Sequence, residues 1–232
     1  MAVAANFIQP MHAIAEKFEG KCACTLRLSF GSSGKLYAQI LQGAPFDVFL
    51  SADADKPQQL VKRRKAIAAS RFTYALGSLV LWSNQAHTLA VEQRLKSGRF
   101  KKIAIANPTL APYGKAAQQV LYNMGLEAAA AKKLVKGENI AQAFQFVSSG
   151  NAELGLLALS QLSAVKQPFS NRQLWRVPRH LYDPIRQDAV LLLRAQHNQL
   201  AQQLLAFLQS DDINKLLSDY GYDGYASERA LQ

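Results

Sequence analysis

Five short apolar runs in this chain end in small or amide residues and pass straight into a helix-like pattern. They do so at Ala5-Asn6, Gly31-Ser32-Ser33-Gly34, Ser51-Ala52-Asp53, Pro112-Tyr113-Gly114 and Glu138-Asn139-Ile140. Each is a candidate strand-to-helix corner. A helix start leaves backbone N–H groups without intrahelical partners and carries partial positive charge, so several corners facing one point form a receptor for an anion. The chemistry implied is binding by neutral donors.

Other chemistries find less in these residues. Gly34-Lys35 has the look of a phosphate loop, but Leu36 stands where the metal-binding hydroxyl belongs and Ser29 where the first glycine belongs. A Gly-x-Ser-x-Gly nucleophile elbow would need glycine at 35, where Lys35 stands. His12, His87, His180 and His197 show no metal-ligand spacing, and Asp47 and Asp53 flank one strand end without an acid–base partner. No catalytic residue is expected. Cys22 and Cys24 lie in a segment read as strand-like alternation, so both are expected on one face as free thiols, a bridge across one residue being strained.

The elements that must position the corners alternate strand with helix, the signature of α/β architecture. Ala2 to Ala5 reads as a buried strand, followed by Met11, Ile14, Ala15 and Phe18 at helical spacing. Leu26, Leu28 and Phe30 alternate as a strand, Tyr37, Ile40 and Leu41 form a helical face, and Phe46 to Leu50 reads as a third strand. Phe72 to Trp82 is a long apolar stretch interrupted at Gly77-Ser78, and it is answered by a second from Asp188 to Leu193. Two such stretches carry the chain to a second α/β unit and back, with Gly77 as the place to bend. Lobe I is thus expected over 1–77 and 190–232, and lobe II over 78–189. Leu200, Leu204, Leu205 and Leu208, then Ile213, Leu216 and Leu217, read as two closing amphipathic helices.

Composition sets the outer limits. The 232 residues are long enough to bury a core, and 49% hydrophobic with 19% charged residues is ordinary for a globular chain. No apolar stretch reaches the roughly 20 residues needed to cross a bilayer. The formal charge of +11 favours anions of any size. Lys62-Arg63-Arg64-Lys65, the densest basic run, has no aromatic interleaving and reads as a solvated helix end, so no nucleic-acid partner is expected.

Six segments then carry a resemblance. Val3-Ala4-Ala5-Asn6-Phe7, Phe30 to Lys35, the block from Gly43-Ala44-Pro45 to Ser51-Ala52-Asp53, Ala111 to Gly114, Gly137 to Ala143, and Pro184 to Val190 resemble, in order, the periplasmic molybdate/tungstate-binding proteins of ABC importers. The resemblance implies a type II periplasmic-binding-protein fold, two α/β lobes joined by a two-strand hinge with the ligand cleft between them. It places oxyanion donors at Asn6, Ser33, Ala52, Tyr113 and Ile140, mostly backbone N–H groups, with the Ser33 hydroxyl also donating and with Ala5 and Ser32 beside them. Where some relatives bring a tyrosine hydroxyl to the anion, Ala158 stands here.

What the resemblance implies about function is therefore a monomeric carrier with no cofactor. It takes molybdate or tungstate as the whole oxyanion, without direct protein–metal ligands, and hands it to an ABC-transporter permease without inserting into the membrane. The implied location is the periplasm, with a leader removed before Met1. Two other readings stay open: a carrier of sulfate, thiosulfate or another small oxyanion, and the effector-sensing domain of a transcription regulator. An enzyme of similar architecture would need an acid–base set that the sequence does not display.

Overall fold

The structure is a computed structural model that describes residues 1–165 and 169–223. The chain order begins β1 (Ala2–Ala4), α1 (Ile8–Cys22), β2 (Ser29–Gly31), α2 (Ser33–Leu41), β3 (Val48–Leu50), α3 (Asp55–Lys62) and β4 (Phe72–Gly77). It continues with β5 (Leu79–Trp82), α4 (Val91–Lys96), β6 (Ile103–Ala106), α5 (Pro112–Asn123), α6 (Glu127–Ala131), β7 (Leu134–Gly137), α7 (Ile140–Ser148), β8 (Leu154–Ala158) and β9 (Leu174–Arg176). It closes with β10 (Ile185–Leu191), α8 (Gln199–Leu208) and α9 (Asp211–Asp219). Two compact units result, one from Met1–Gly77 and the segment beginning at Arg186, the other Ser78–Ile185.

The first unit is built on a sheet of order β2-β1-β3-β10-β4. β1 runs parallel to β2 and β3, with Ala4 opposite Gly31 and Val3 opposite Leu50, and β10 runs antiparallel to β3. Alternation along the strands divides the core between the two faces. Val3, Val48 and Leu50 pack with Phe7, Met11 and Ile14 and with Leu205, Ile213 and Leu217, whereas Ala2, Phe49 and Val190 pack with Leu36, Ile40 and Leu60. Burying side chains of this size contributes about 1.5–3 kcal/mol each. Leu200, expected on the inner face of its helix, is instead 43% exposed.

The second unit has the sheet β7-β6-β8-β5-β9. β6 is parallel to β7 and β8, and β5 is antiparallel to β8 and β9. In each sheet the second strand of the order, β1 or β6, is flanked by two parallel neighbours, with an antiparallel strand beyond, although no sequence repeat announces the likeness. The apolar run from Phe72 to Trp82 is divided between the sheets, β4 ending at Gly77 and β5 starting at Leu79.

The expectation for the two cysteines is corrected. Cys22 ends α1 rather than starting a strand, because Ala23 takes the left-handed conformation (φ 48°) and caps the helix by donating to Glu19 O. That turn brings the cysteine Cα atoms to 5.2 Å, and the sulfurs form a disulfide instead of standing as free thiols. Asn6 sits in a single turn of 3₁₀ helix (Ala5–Phe7) ahead of α1, and its side chain does not cap that helix. The basic run behaves as read: α3 stops at Lys62, and all four cations are exposed.

Candidate functional site

In each sheet the parallel strands end at a common edge, and every expected corner lies there. In the first unit Ala4, Gly31 and Leu50 end the three parallel strands, so Asn6, Ser33 and Ala52 follow at one edge. In the second unit Ala106 stands opposite Gly137, and α5 and α7 start at that edge, carrying Tyr113 and Ile140. The five candidates, with Ala5 and Ser32, are each no more than 4% exposed.

The first unit's corners touch one another. The Ala52 N–H donates to Ser33 Oγ over 2.9 Å. Ser33 is the first residue of α2, after Ser32 in extended conformation (ψ 146°). The Ser32 hydroxyl is buried and makes no hydrogen bond to the described residues. A buried hydroxyl without a partner is a costly arrangement in a folded chain, and a ligand acceptor would relieve it.

Behind these corners lies a polar network that sequence reasoning missed. Asn6 Nδ2 donates to Gln187 Oε1 (2.8 Å) and to the Tyr222 hydroxyl (2.9 Å), and that hydroxyl donates back to Asn6 O (3.0 Å). The Tyr74 hydroxyl lies 3.1 Å from both Gln187 Oε1 and Ser51 O. Next to it Asp188 accepts from Arg71 Nη1 and Thr73 Oγ1, both at 2.8 Å, while Ser51 N donates to Asp188 O. The network ties the corners after β1 and β3 to β4 and β10. A signal was available: Gln187-Asp188 is a polar pair running directly into the apolar Ala189-Val190-Leu191 of the same strand, and both residues are no more than 1% exposed.

Burial, and then the nearby Tyr222, Asp188 and Asp53, push the Tyr74 pKa well above its ordinary value. The folded state thus holds this proton more tightly than the unfolded chain does. Its contribution to stability is complete below the unfolded tyrosine value of about 10 and is lost as pH rises from there through the folded value. Urea melts at rising alkaline pH are expected to show this decline, and Tyr74→Phe should flatten it. A decline of equal steepness in the variant would assign it to other groups.

In the second unit the helix starts are set by close backbone packing. Pro112 opens α5 with its fixed φ, and the following Gly114 lies against the end of β6. Asn139 caps α7, its side chain accepting from Gln142 N at 3.0 Å, while Gln142 Oε1 accepts from Glu138 N. Gln161 Nε2 donates to Ile140 O (3.0 Å), and Gln161 Oε1 accepts from Ala158 N (3.4 Å), so this unanticipated glutamine joins the α7 start to the end of β8. Tyr113, at the start of α5, is 1% exposed.

The aspartates flagged at the strand end serve the surface and the fold. Asp47 Oδ1 lies 3.3 Å from exposed Arg194, and Asp53 accepts from Lys56 N at the start of α3. Among the described residues no group of three or more His, Cys, Asp or Glu is placed to hold a metal ion. The corners offer neutral donors, which suits binding of an intact anion.

A family profile described as bacterial extracellular solute-binding protein matches residues 1–223. The chain belongs to that family. This solute-binding protein is 48% identical over 223 residues to the molybdate-binding protein ModA of Azotobacter vinelandii, covering 96% of this chain and 88% of the relative. It is 42% identical to the protein of the same name from Rhodobacter capsulatus, covering 95% and 86%. The solved Azotobacter vinelandii periplasmic molybdate-binding protein superposes with a TM-score of 0.88 at 36% identity, covering 95% of this chain and 97% of that one. The two sheets with flanking helices are thus those of a periplasmic binding protein.

Proposed function

We propose that this protein captures molybdate or tungstate and delivers it to the membrane permease of an ABC importer. The observation that carries the reading is the 48% identity, across 96% of the chain, to a protein named for molybdate binding. The comparisons favour this over the sulfate and regulator readings. The place of work is the periplasm, the carrier acts as a monomer, and it does no catalysis; the periplasmic relative supports the first and membership of a solute-binding family the last.

The anion's donors are the N–H groups at Asn6, Ser33, Tyr113 and Ile140 and the hydroxyls of Ser32 and Ser33. The Gly77 connection and the return strand act as the hinge. Ala52 takes a modified role. Its N–H is directed at Ser33 Oγ, and a hydroxyl that accepts one hydrogen bond is a better donor of its own proton. The Asn6 amide serves the fold through Gln187 and Tyr222, so its backbone N–H is the group assigned to the anion. Neutral donors avoid the desolvation cost of burying a counter-charge, and each hydrogen bond to the dianion contributes about 1.5–3 kcal/mol.

Thermal unfolding of ligand-stripped protein tests the reading. At free anion about 100 times Kd the expected stabilisation is about 2.7 kcal/mol, a rise of several degrees in Tm. Molybdate and tungstate should each produce it, and phosphate, with a proton that lacks an acceptor, should not. A rise with sulfate alone would replace the ligand, and no rise with any oxyanion would overturn the carrier reading.

A further inference from the structure

The second unit contains a cavity of about 440 Å³ that the proposed function does not use. It lies at the sheet edge opposite the starts of α5 and α7, where β6 and β8 begin and β5 ends. Its walls include Ser83, Arg94, Arg99, Lys101 and Glu153, with Phe100, Val147 and Ala152 supplying an apolar side. Three cations thus face one carboxylate.

Arg94 is the unusual member. It is 5% exposed, yet its guanidinium is poorly compensated. Nη1 donates to Ser83 Oγ over 3.2 Å, Nη2 stands 3.6 Å from Glu153 Oε2, and Nε is buried with no partner among the described residues. Glu153 is shared, since Oε2 also accepts from Lys101 N at 2.9 Å, and its side chain is 38% exposed. A buried cation held by one long, half-wet ion pair leaves a positive field in the space beside it. Burial lowers the Arg94 pKa, with Glu153 opposing, so a second anion nearby would favour the charged form.

We propose that this cavity is a second binding site, for a small organic anion bearing a carboxylate or phosphate group. Arg94, rimmed by the exposed Arg99 and Lys101, supplies the charge for the anionic end. Phe100, Val147 and Ala152 receive the apolar end. The volume falls in the range typical of small-molecule sites and is ample for a ring with one anionic substituent. The site is separate from the oxyanion donors, so occupancy of one does not require the other.

The test is ¹⁹F NMR line broadening of 4-fluorobenzoate on molybdate-saturated protein, with neutral 4-fluorobenzamide as control and phenyl phosphate as competitor. Saturable broadening of the benzoate but not the benzamide, relieved by phenyl phosphate, is the expected result. Arg94→Gln should weaken benzoate binding about tenfold or more. The surface double variant Arg99→Ala/Lys101→Ala, which leaves the buried residues untouched, should weaken it by about two- to fivefold. Glu153→Gln, which keeps an acceptor for Lys101 N but removes the competing charge, should tighten it, an effect that a purely structural role for Arg94 would not produce. Molybdate affinity should stay the same in all three. Equal broadening of benzoate and benzamide, no saturable broadening, or benzoate binding indifferent to every charge change would overturn the proposal.

Discussion

Gly114→Ala is expected to destabilise the protein by about 1–3 kcal/mol and to weaken molybdate binding with it. A Cβ at this position would lie 2.3 Å from Ala106 O, 2.8 Å from Ala106 C and 2.9 Å from Asn107 C. All three are backbone atoms, so no side chain can rotate out of the way. The start of α5 must lift off the end of β6, or the strand must bend. Either movement displaces the Tyr113 N–H, one residue before, and a donor moved by a few tenths of an ångström loses part of its hydrogen bond. Gly20→Ala is the control, because Gly20 lies exposed in α1 with nothing within 4 Å of the added carbon. There the substitution should stabilise by about 0.5–1 kcal/mol through helix propensity. Urea melts of both variants and calorimetric titration with molybdate separate the cases. A Gly114→Ala protein with unchanged melt and affinity would show that the close approach does not constrain the helix start.

The corners were legible because each is a local event. A short apolar run, a small or amide residue and a helical period lie next to one another in sequence, and the parallel pairing then brings Ala4, Gly31 and Leu50 into line. The supports were not legible, because they join residues far apart in the chain. Nothing near Asn6 indicates that its amide meets Gln187 and Tyr222, and nothing near Ile140 indicates that its carbonyl meets Gln161 until α7 and the end of β8 are placed. The disulfide was misread for a related reason. The alternation of Cys22 and Cys24 fits a strand, but α1 runs as far as Cys22, and one left-handed residue turns the second sulfur back onto the first. Arg94 carried no signal of its own. It belongs to an ordinary charged helix pattern, and only its burial beside Ser83 makes it unusual.

Ser33→Ala should reveal how the first unit's corner works, because the hydroxyl has two duties there. Its oxygen accepts the Ala52 N–H, and Ala52 is 3% exposed, so removing the acceptor leaves a buried donor unsatisfied at a cost of about 1–3 kcal/mol in stability. Its proton is assigned to the anion, and losing that bond should weaken molybdate binding by a further 1–3 kcal/mol or about 5- to 150-fold. Ser32→Ala provides the contrast. The Ser32 hydroxyl satisfies nothing among the described residues, so its removal should leave the ligand-free protein as stable as before or slightly more so. If that hydroxyl turns to the anion, affinity falls without any loss of stability. Melts of ligand-free protein and calorimetric Kd values for the two variants therefore distinguish a residue that shapes the corner from one that waits for the ligand. Unchanged affinity in both would remove the hydroxyls from the site and leave the anion to backbone N–H groups alone.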